Sequence, residues 1–337
     1  MSRTRKNPED NCYPKRVYRG RSAFEFKPIN GGAVRLCSLD SSVAEVWVHY
    51  EKYINDEKNT DKFNSLVEQF FKSADFIELS RETQKDYHKY SNKVLPVFGR
   101  MNPNSIKPEH IRKYMDMRGL KSRTQANREK TFMSRVFRWG YERGMVKLNP
   151  CQGVKQFKEK ARERYITDRE YDALYQSSPL LVQVAMELAY LCCARQQDVL
   201  SLKKDQLMEA GIYIKQGKTG KSQIKGWSDR LRTVIAMASD LPLDDDVSSL
   251  FIVHQQNGRA YTRDGFNSRW RKAKEQAAIN NPELSFDFTF HDLKAKGISD
   301  LDGTLQEKQK ISGHKNIGQT ARYDRKVEIV PVVGNQK

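Results

Sequence analysis

SGHKNIGQTARYDR, Ser312 to Arg325, sets a Gly-His pair nine residues ahead of a tyrosine that stands between two arginines. A tyrosine among cations is an odd choice for a solvated tail. A free phenol titrates near pH ~10, and positive charge around it favours the phenolate. One answer is that Tyr323 is a nucleophile for a negatively charged target. Whether that answer holds depends on what the rest of the chain supplies.

Three further motifs precede this stretch. CCARQQDVLSLKKDQL places Arg195 at the end of an apolar helical run. Taken alone, it reads as a structural ion pair with Asp198. Arginine is also the residue suited to gripping a phosphate at two points. KQGKTGKS puts Lys218 in a short Gly-rich turn between strands; it does not match the G-x-x-x-x-G-K-[ST] phosphate loop. FHDLKAKG spaces His291 and Lys294 at i, i+3, on one face of a helix. Singly, each is weak: a lone histidine is more often structural than catalytic, and Lys-Thr-Gly turns are common surface hairpins.

In their order the four resemble the tyrosine recombinase (phage integrase) family. Its pattern is an arginine in an A/G-R-x-x-[DE]-[LIV] helix, a lysine in a β-hairpin, H-x-x-R, a G-H, and a tyrosine nine residues later. This chain reads A-R-Q-Q-D-V-L, Q-G-K-T-G, H-D-L-K, S-G-H and R-Y-D. The one departure is Lys294 where the family carries its second arginine. The resemblance implies that Tyr323 attacks a DNA phosphodiester and leaves a 3′-phosphotyrosyl bond and a free 5′-hydroxyl. Arg195, Lys294 and His314 would surround the phosphate oxygens, with Lys294 as the second clamp. Lys218 would protonate the leaving oxygen, and His291 would orient the site or take the tyrosine's proton. The covalent link keeps the bond's energy, so religation needs no ATP. The carboxylates near these motifs form no evident ligand cluster, so neither a metal nor another cofactor is expected.

The whole composition suits a nucleic-acid partner. Lys and Arg number 60 against 42 acids, a formal charge of +18 over 337 residues. Phosphate neutralisation by such cations supplies most non-specific DNA affinity. The five cysteines, Cys12, Cys37, Cys151, Cys192 and Cys193, contain no C-x-x-C. That argues against a disulfide framework or zinc site and for a reducing cytoplasm. The N-terminus has no apolar signal core. LLVQVAMELAYLCCA, interrupted by Gln183 and Glu187, is too short and polar to span a bilayer and reads as a core helix.

The expected architecture is multidomain α+β. Residues 1–58 read as a basic β-sheet plus one helix, with strands in RVYRGRSAFEFKP and AVRLC, a turn at Asn30-Gly31-Gly32, and a helix capped by Ser41 or Ser42. Residues 1–37 carry nine cations against three acids, and Arg16, Arg19, Arg21, Lys27 and Arg35 are candidate DNA contacts. EKNTDK reads as a linker. Residues 61–154 read as an all-α domain with helices over 62–72, 80–97, 107–118 and 122–143. Its terminal KLNP is similar to the end of the family's core-binding (SAM-like) domain, and the basic sheet looks like the arm-binding domain of lambda-type integrases. KQFKEKARER, 155–164, reads as a second linker or a solvated helix end. Residues 165–337 form the mainly α catalytic domain, in which GIYIKQGKTGKSQIKGWSDRLRTVIAM reads as strands around a turn. Val327–Val333 is a candidate strand that docks in cis or on a neighbouring protomer.

The resemblance therefore implies a site-specific recombinase of a temperate phage or mobile element. It would act as a homotetramer on double-stranded DNA with core and arm sites, together with DNA-bending accessory proteins. A conjugative-transposon integrase is a near variant. A non-catalytic DNA-binding regulator that kept the fold and a metal-dependent nuclease are the readings from other classes. Tyr323→Phe and EDTA respectively discriminate them.

Overall fold

Val17, Phe24 and Phe26 alternate with polar neighbours, and that period builds the first sheet. β1 (Val17–Arg19), β2 (Ala23–Phe26) and β3 (Val34–Ser38) pair antiparallel in the order β1-β2-β3. Their inner residues meet Val46 of α1 (Val43–Thr60) in a small core. Ser42 caps α1: its hydroxyl accepts from Glu45 N, and the Glu45 carboxylate accepts from Ser42 N at 2.7 Å. The computed structural model describes residues 8–28, 32–60, 62–327, 330 and 332, with the side chains of 8, 9 and 55–60 excepted. Arg3, Arg5, Lys6 and the turn residues Asn30 and Gly31 lie outside the described residues. So does most of the candidate strand 327–333; its described members Val327, Val330 and Val332 are exposed and carry no strand.

The expected linker at EKNTDK is a correction. Helix α1 continues through it to Thr60, since nothing in E-K-N-T breaks a helix. Five helices follow: α2 (Phe63–Phe71), α3 (Ala74–Ile77), α4 (Arg81–Phe98), α5 (Pro108–Gly119) and α6 (Arg123–Glu142). Their core is aromatic, with Phe63, Phe70, Phe132 and Phe137 fully buried. The chain divides into two compact units, 1–160 and 161–337, and the boundary falls within the charged stretch KQFKEKARER, which forms no helix.

In the second unit Thr167 and Glu170 form a capping box that starts α7 (Asp168–Gln176). α8 (Leu180–Leu191) and the one-turn α9 (Gln196–Leu200) follow. β4 (Leu207–Met208), β5 (Gly211–Lys215) and β6 (Ser222–Gly226) make an antiparallel sheet in that order. The expected strand pattern ends there. Residues after Trp227 form α10 (Asp229–Ser239), because Ser228 accepts a hydrogen bond from Leu231 N and caps a helix. α11 (Arg263–Asn280), α12 (Phe290–Ser299), α13 (Leu305–Ser312) and α14 (Ile317–Ala321) complete it. No helix among the described residues is long and apolar enough to cross a membrane.

Two features of this unit place the site. α12 is buried along nearly its whole length, with His291 its one exposed residue. It packs on α8 at Gly297, where a Cβ would lie 2.3 Å from Tyr190 O, so only glycine permits this approach. Within α8, Glu187 is 4 % exposed and accepts from Tyr171 Oη at 2.7 Å and from Arg230 Nε and Nη2 at 2.7 Å each. That network joins α7, α8 and α10. Arg230→Met should destabilise the unit by about 2 kcal/mol, discounted because the arginine is half exposed. Thermal melting of the single variant checks this, and adding Glu187→Leu should restore most of the loss.

Candidate active site

Arg195 is delivered by a sharp chain reversal. α8 ends at Leu191, and Cys193 turns through a left-handed conformation at φ 47°. Arg195 then stands at the N-cap of α9. Its Nη1 donates to Gln216 Oε1 at 2.7 Å. The expected ion pair with Asp198 is loose, at 3.9 Å. Asp198 instead anchors the hairpin: its Oδ1 accepts from Gly217 N at 3.0 Å. Gln216 and Gly217 thus fix the base of the β5–β6 turn to the α9 corner. Lys218, next along, is exposed at the tip and makes no hydrogen bond among the described residues.

The turn that carries Tyr323 is tied down at several points. Gly313 ends α13 in the left-handed region, at φ 70°, so that His314 follows directly. Tyr323 then leaves α14. Its carbonyl accepts from Ser299 Oγ at 3.0 Å, and Ser299 Oγ in turn accepts from Arg325 N at 2.7 Å. Asp324 pairs with Lys308 at 2.8 Å, and Arg325 with the buried Asp292 at 2.6 Å. These contacts deliver Tyr323 Oη to 2.6 Å from His291 Nε2. The Tyr323 ring lies 4.8 Å from the His314 ring, centroid to centroid.

The electrostatics reverse one expectation. Of the two flanking arginines, only Arg325 faces the ring, at 5.9 Å, and it is already paired with Asp292. Burial pushes the Tyr323 phenol above its ordinary range; Arg195 and Arg325 oppose that but do not overcome it. Tyr323 is therefore a phenol at neutral pH and needs a base. His291 is suited to that: desolvation, with help from Lys294, Arg195 and Arg325 and against Asp292, holds its pKa below the usual imidazole value. It is neutral at pH 7 and can accept a proton.

His314 is 1 % exposed, and its Nε2 has no hydrogen-bond partner among the described residues. Nδ1 lies 3.2 Å from Thr320 Oγ1. Burial, then Lys294 and Arg195, lower its pKa to about 4. The unfolded chain, titrating near ~6.5, binds this proton first, so stability should fall as pH drops from ~6.5 to about 4, by roughly 3 kcal/mol. Melting curves at pH 7 and pH 4.5 check this, with the drop smaller in His314→Asn.

Lys294, expected to grip a phosphate, is placed otherwise. It is 1 % exposed, and Nζ donates to Cys193 O at 2.5 Å and Ser312 O at 3.4 Å. The i, i+3 spacing from His291 is real, but α12 is covered on the face that Lys294 occupies. Burial and Arg195 lower its pKa to about 8. Lys296, two residues further along α12, is tied to Asp168 and Asp300. Sequence reasoning missed Gln216, Asp292, Ser299 and Lys308, none of which stands out in the chain. In the first unit Arg16, Arg19, Arg21, Lys27 and Arg35 are all exposed; Arg19 stacks on Phe24 and Lys27 on Tyr18.

Residues 163–328 match the phage integrase family, a span that contains the candidate catalytic residues Arg195, Lys218, His291, Lys294, His314 and Tyr323. The integrase of Escherichia phage HK022 is 26 % identical over 198 residues, 56 % of this chain and 54 % of that protein. The integrase of Escherichia phage lambda is 24 % identical over 201 residues, 57 % of this chain and 55 % of that protein. The chain thus spans about half the length of the curated relatives it matches. Among solved structures, a lambda integrase dimer bound to a COC′ core site superposes with a TM-score of 0.68 at 18 % identity, covering 96 % of this chain and 99 % of that one. Tn1549 transposon integrase in complex with circular intermediate DNA gives 0.64 at 13 % identity, covering 79 % and 96 %. At such identities the likeness establishes the fold, and it is the multidomain α+β fold of the tyrosine recombinases. The family match over residues 163–328, the fold and the ordered motifs agree: this part of the chain matches the phage integrase family, and the chain has the fold of the tyrosine recombinases.

Proposed function

We propose that the protein is a site-specific DNA recombinase that cuts and rejoins strands through Tyr323. The observation that carries this reading is the 2.6 Å contact between Tyr323 Oη and His291 Nε2, beside Arg195 and His314. Tyr323 Oη attacks the scissile phosphorus and passes its proton to His291. The P–O5′ bond breaks, and Lys218, carried on the exposed turn, protonates the leaving oxygen. Arg195 has guanidinium N–H groups uncommitted among the described residues, and these meet the phosphate oxygens. In this reading the tautomer is the one with Thr320 donating to His314 Nδ1 and the imidazole proton on Nε2, which makes neutral His314 a second donor to the same oxygens. The 3′-phosphotyrosyl bond is then attacked by a 5′-hydroxyl of the partner duplex.

In this reading the substrate is double-stranded DNA and the working state a homotetramer; a related lambda integrase has been solved as a tetramer bound to a Holliday junction. The biological outcome is integration or excision of a prophage or another mobile element. The first unit supplies DNA grip: 61–154 would hold the core site, and the exposed cations of the sheet in 1–58 would hold accessory arm sites. The test is to incubate the protein with supercoiled plasmid in EDTA and quench with SDS. Relaxation with a covalent protein–DNA adduct, both lost in Tyr323→Phe, is the expected result. Persistence in the variant would assign the chemistry to another nucleophile.

A further inference from the structure

We propose that Lys294 is a positioning residue, whose buried ammonium ties together the two chain segments that deliver Arg195 and His314, and that it does not itself touch the DNA phosphate. This rests on the recombinase reading above. Cys193, whose carbonyl Lys294 holds at 2.5 Å, stands two residues before Arg195. Ser312, held at 3.4 Å, stands two residues before His314. Gln216 closes the circuit from the other side. Its Oε1 accepts from Arg195 Nη1 at 2.7 Å, and its Nε2 donates to Ser312 O at 3.1 Å. Hydrogen bonds therefore run from Arg195 through Gln216, Ser312 and Lys294 to Cys193, and the backbone returns to Arg195.

Both carbonyls in the circuit need what Lys294 gives. Cys193 is a non-glycine residue at φ 47°, a conformation that persists where surrounding contacts over-determine it. The ammonium on its carbonyl is one such contact, and the bond from Cys193 N to Tyr190 O is another. Ser312 O is one of the last carbonyls of α13, which no turn of helix can satisfy and which attract cations. The neighbouring carbonyls are gripped in the same way: Lys225 donates to Ile311 O, and Gln223 Nε2 to Lys310 O at 2.6 Å. The C-terminal end of α13 is thus held by the hairpin on one side and by Lys294 on the other.

This arrangement explains a lysine where the family motif carries arginine. A compact ammonium can meet two carbonyls that converge from different segments. A planar guanidinium is larger and points its donors in a fixed fork, and at a position 1 % exposed it would push those segments apart. A phosphate could reach the ammonium only by displacing a carbonyl.

The test uses the full chain and a nicked duplex carrying the core sequence recovered by selection from random duplexes. Adduct formation, duplex affinity and melting are measured together. Lys294→Arg should form adduct at least about 100-fold more slowly, as expected of a sub-ångström to ångström misplacement, with affinity within about threefold of wild type. Gln216→Met should lose activity to a similar degree, although a direct phosphate grip by Lys294 gives Gln216 no part; it carries the test alone where Lys294→Arg does not fold. Wild-type rates in Lys294→Arg or in Gln216→Met would overturn the proposal and leave the recombinase reading standing. A wild-type protein that binds the duplex but forms no adduct would sink that reading, and this one with it.

Discussion

Tyr323→Phe should remove the SDS-stable protein–DNA adduct, with a loss of at least about 10⁴-fold in cleavage, while DNA affinity should stay within about threefold. In the proposed reaction the hydroxyl is the bond-forming atom, so no neighbour can take its place by adjusting position. The fold should survive the change. The deleted hydroxyl is bonded to an exposed His291, and loss of such a bond costs at most about 1 kcal/mol. The turn that carries residue 323 is held independently by Ser299, Lys308 and Asp292. Affinity should be nearly untouched because the cations on the phosphates remain. The variant therefore separates a recombinase from a DNA-binding regulator of the same fold, which it would leave intact. The wild-type pH–rate profile adds a second check. Tyr323 is a phenol at neutral pH and depends on neutral His291. Cleavage should fall on the acid side with a midpoint below ~6.5, since imidazolium cannot accept the proton.

What the sequence revealed and what it hid follow from how each residue works. Arg195, His291, His314 and Tyr323 stood out through their order and the nine-residue spacing, and the fold brings these four side chains together. Lys294 was legible as a cation on the His291 face of a helix, but not in its role. A helical spacing says which face a residue occupies and nothing about what packs there, and here α8 and α13 do. Gln216 left no signal at all, being one glutamine at the edge of a turn; its importance is a matter of which two atoms it bridges. The charge on Tyr323 was misjudged for a related reason. Adjacent arginines are adjacent in sequence only: Arg322 is exposed, Arg325 is spent on Asp292, and desolvation outweighs both. Helix α10 was hidden because R-L-R-T-V-I-A alternates like a strand, although the Ser228-Asp229 cap before it marked a helix start.

Arg195→Ala should slow strand cleavage by about 10³-fold with little change in stability. The reason for the large kinetic effect is geometric. The guanidinium lies at the first turn of α9, fixed by Gln216 through one nitrogen, with further donors left for oxygens on which negative charge grows as Tyr323 attacks. Preorganised donors of this kind act most strongly on the transition state. The small structural effect is also readable. Gln216 Oε1 would lose Arg195 but keep Thr219 Oγ1 at 3.0 Å, and Asp198 Oδ1 keeps Gly217 N, while Asp198 Oδ2 loses only its loose ion pair at 3.9 Å. Melting should shift by no more than the equivalent of about 1 kcal/mol. Arg195→Lys sharpens the argument: the charge survives, but the two-point grip and the bond to Gln216 do not both survive. Its rate should fall between those of wild type and Arg195→Ala, roughly 10²-fold below wild type. Adduct formation on a nicked core duplex measures all three. If Arg195→Ala cleaves within tenfold of wild type while Tyr323→Phe is dead, the phosphate is held by other groups and the assignment of Arg195 fails while that of the nucleophile stands.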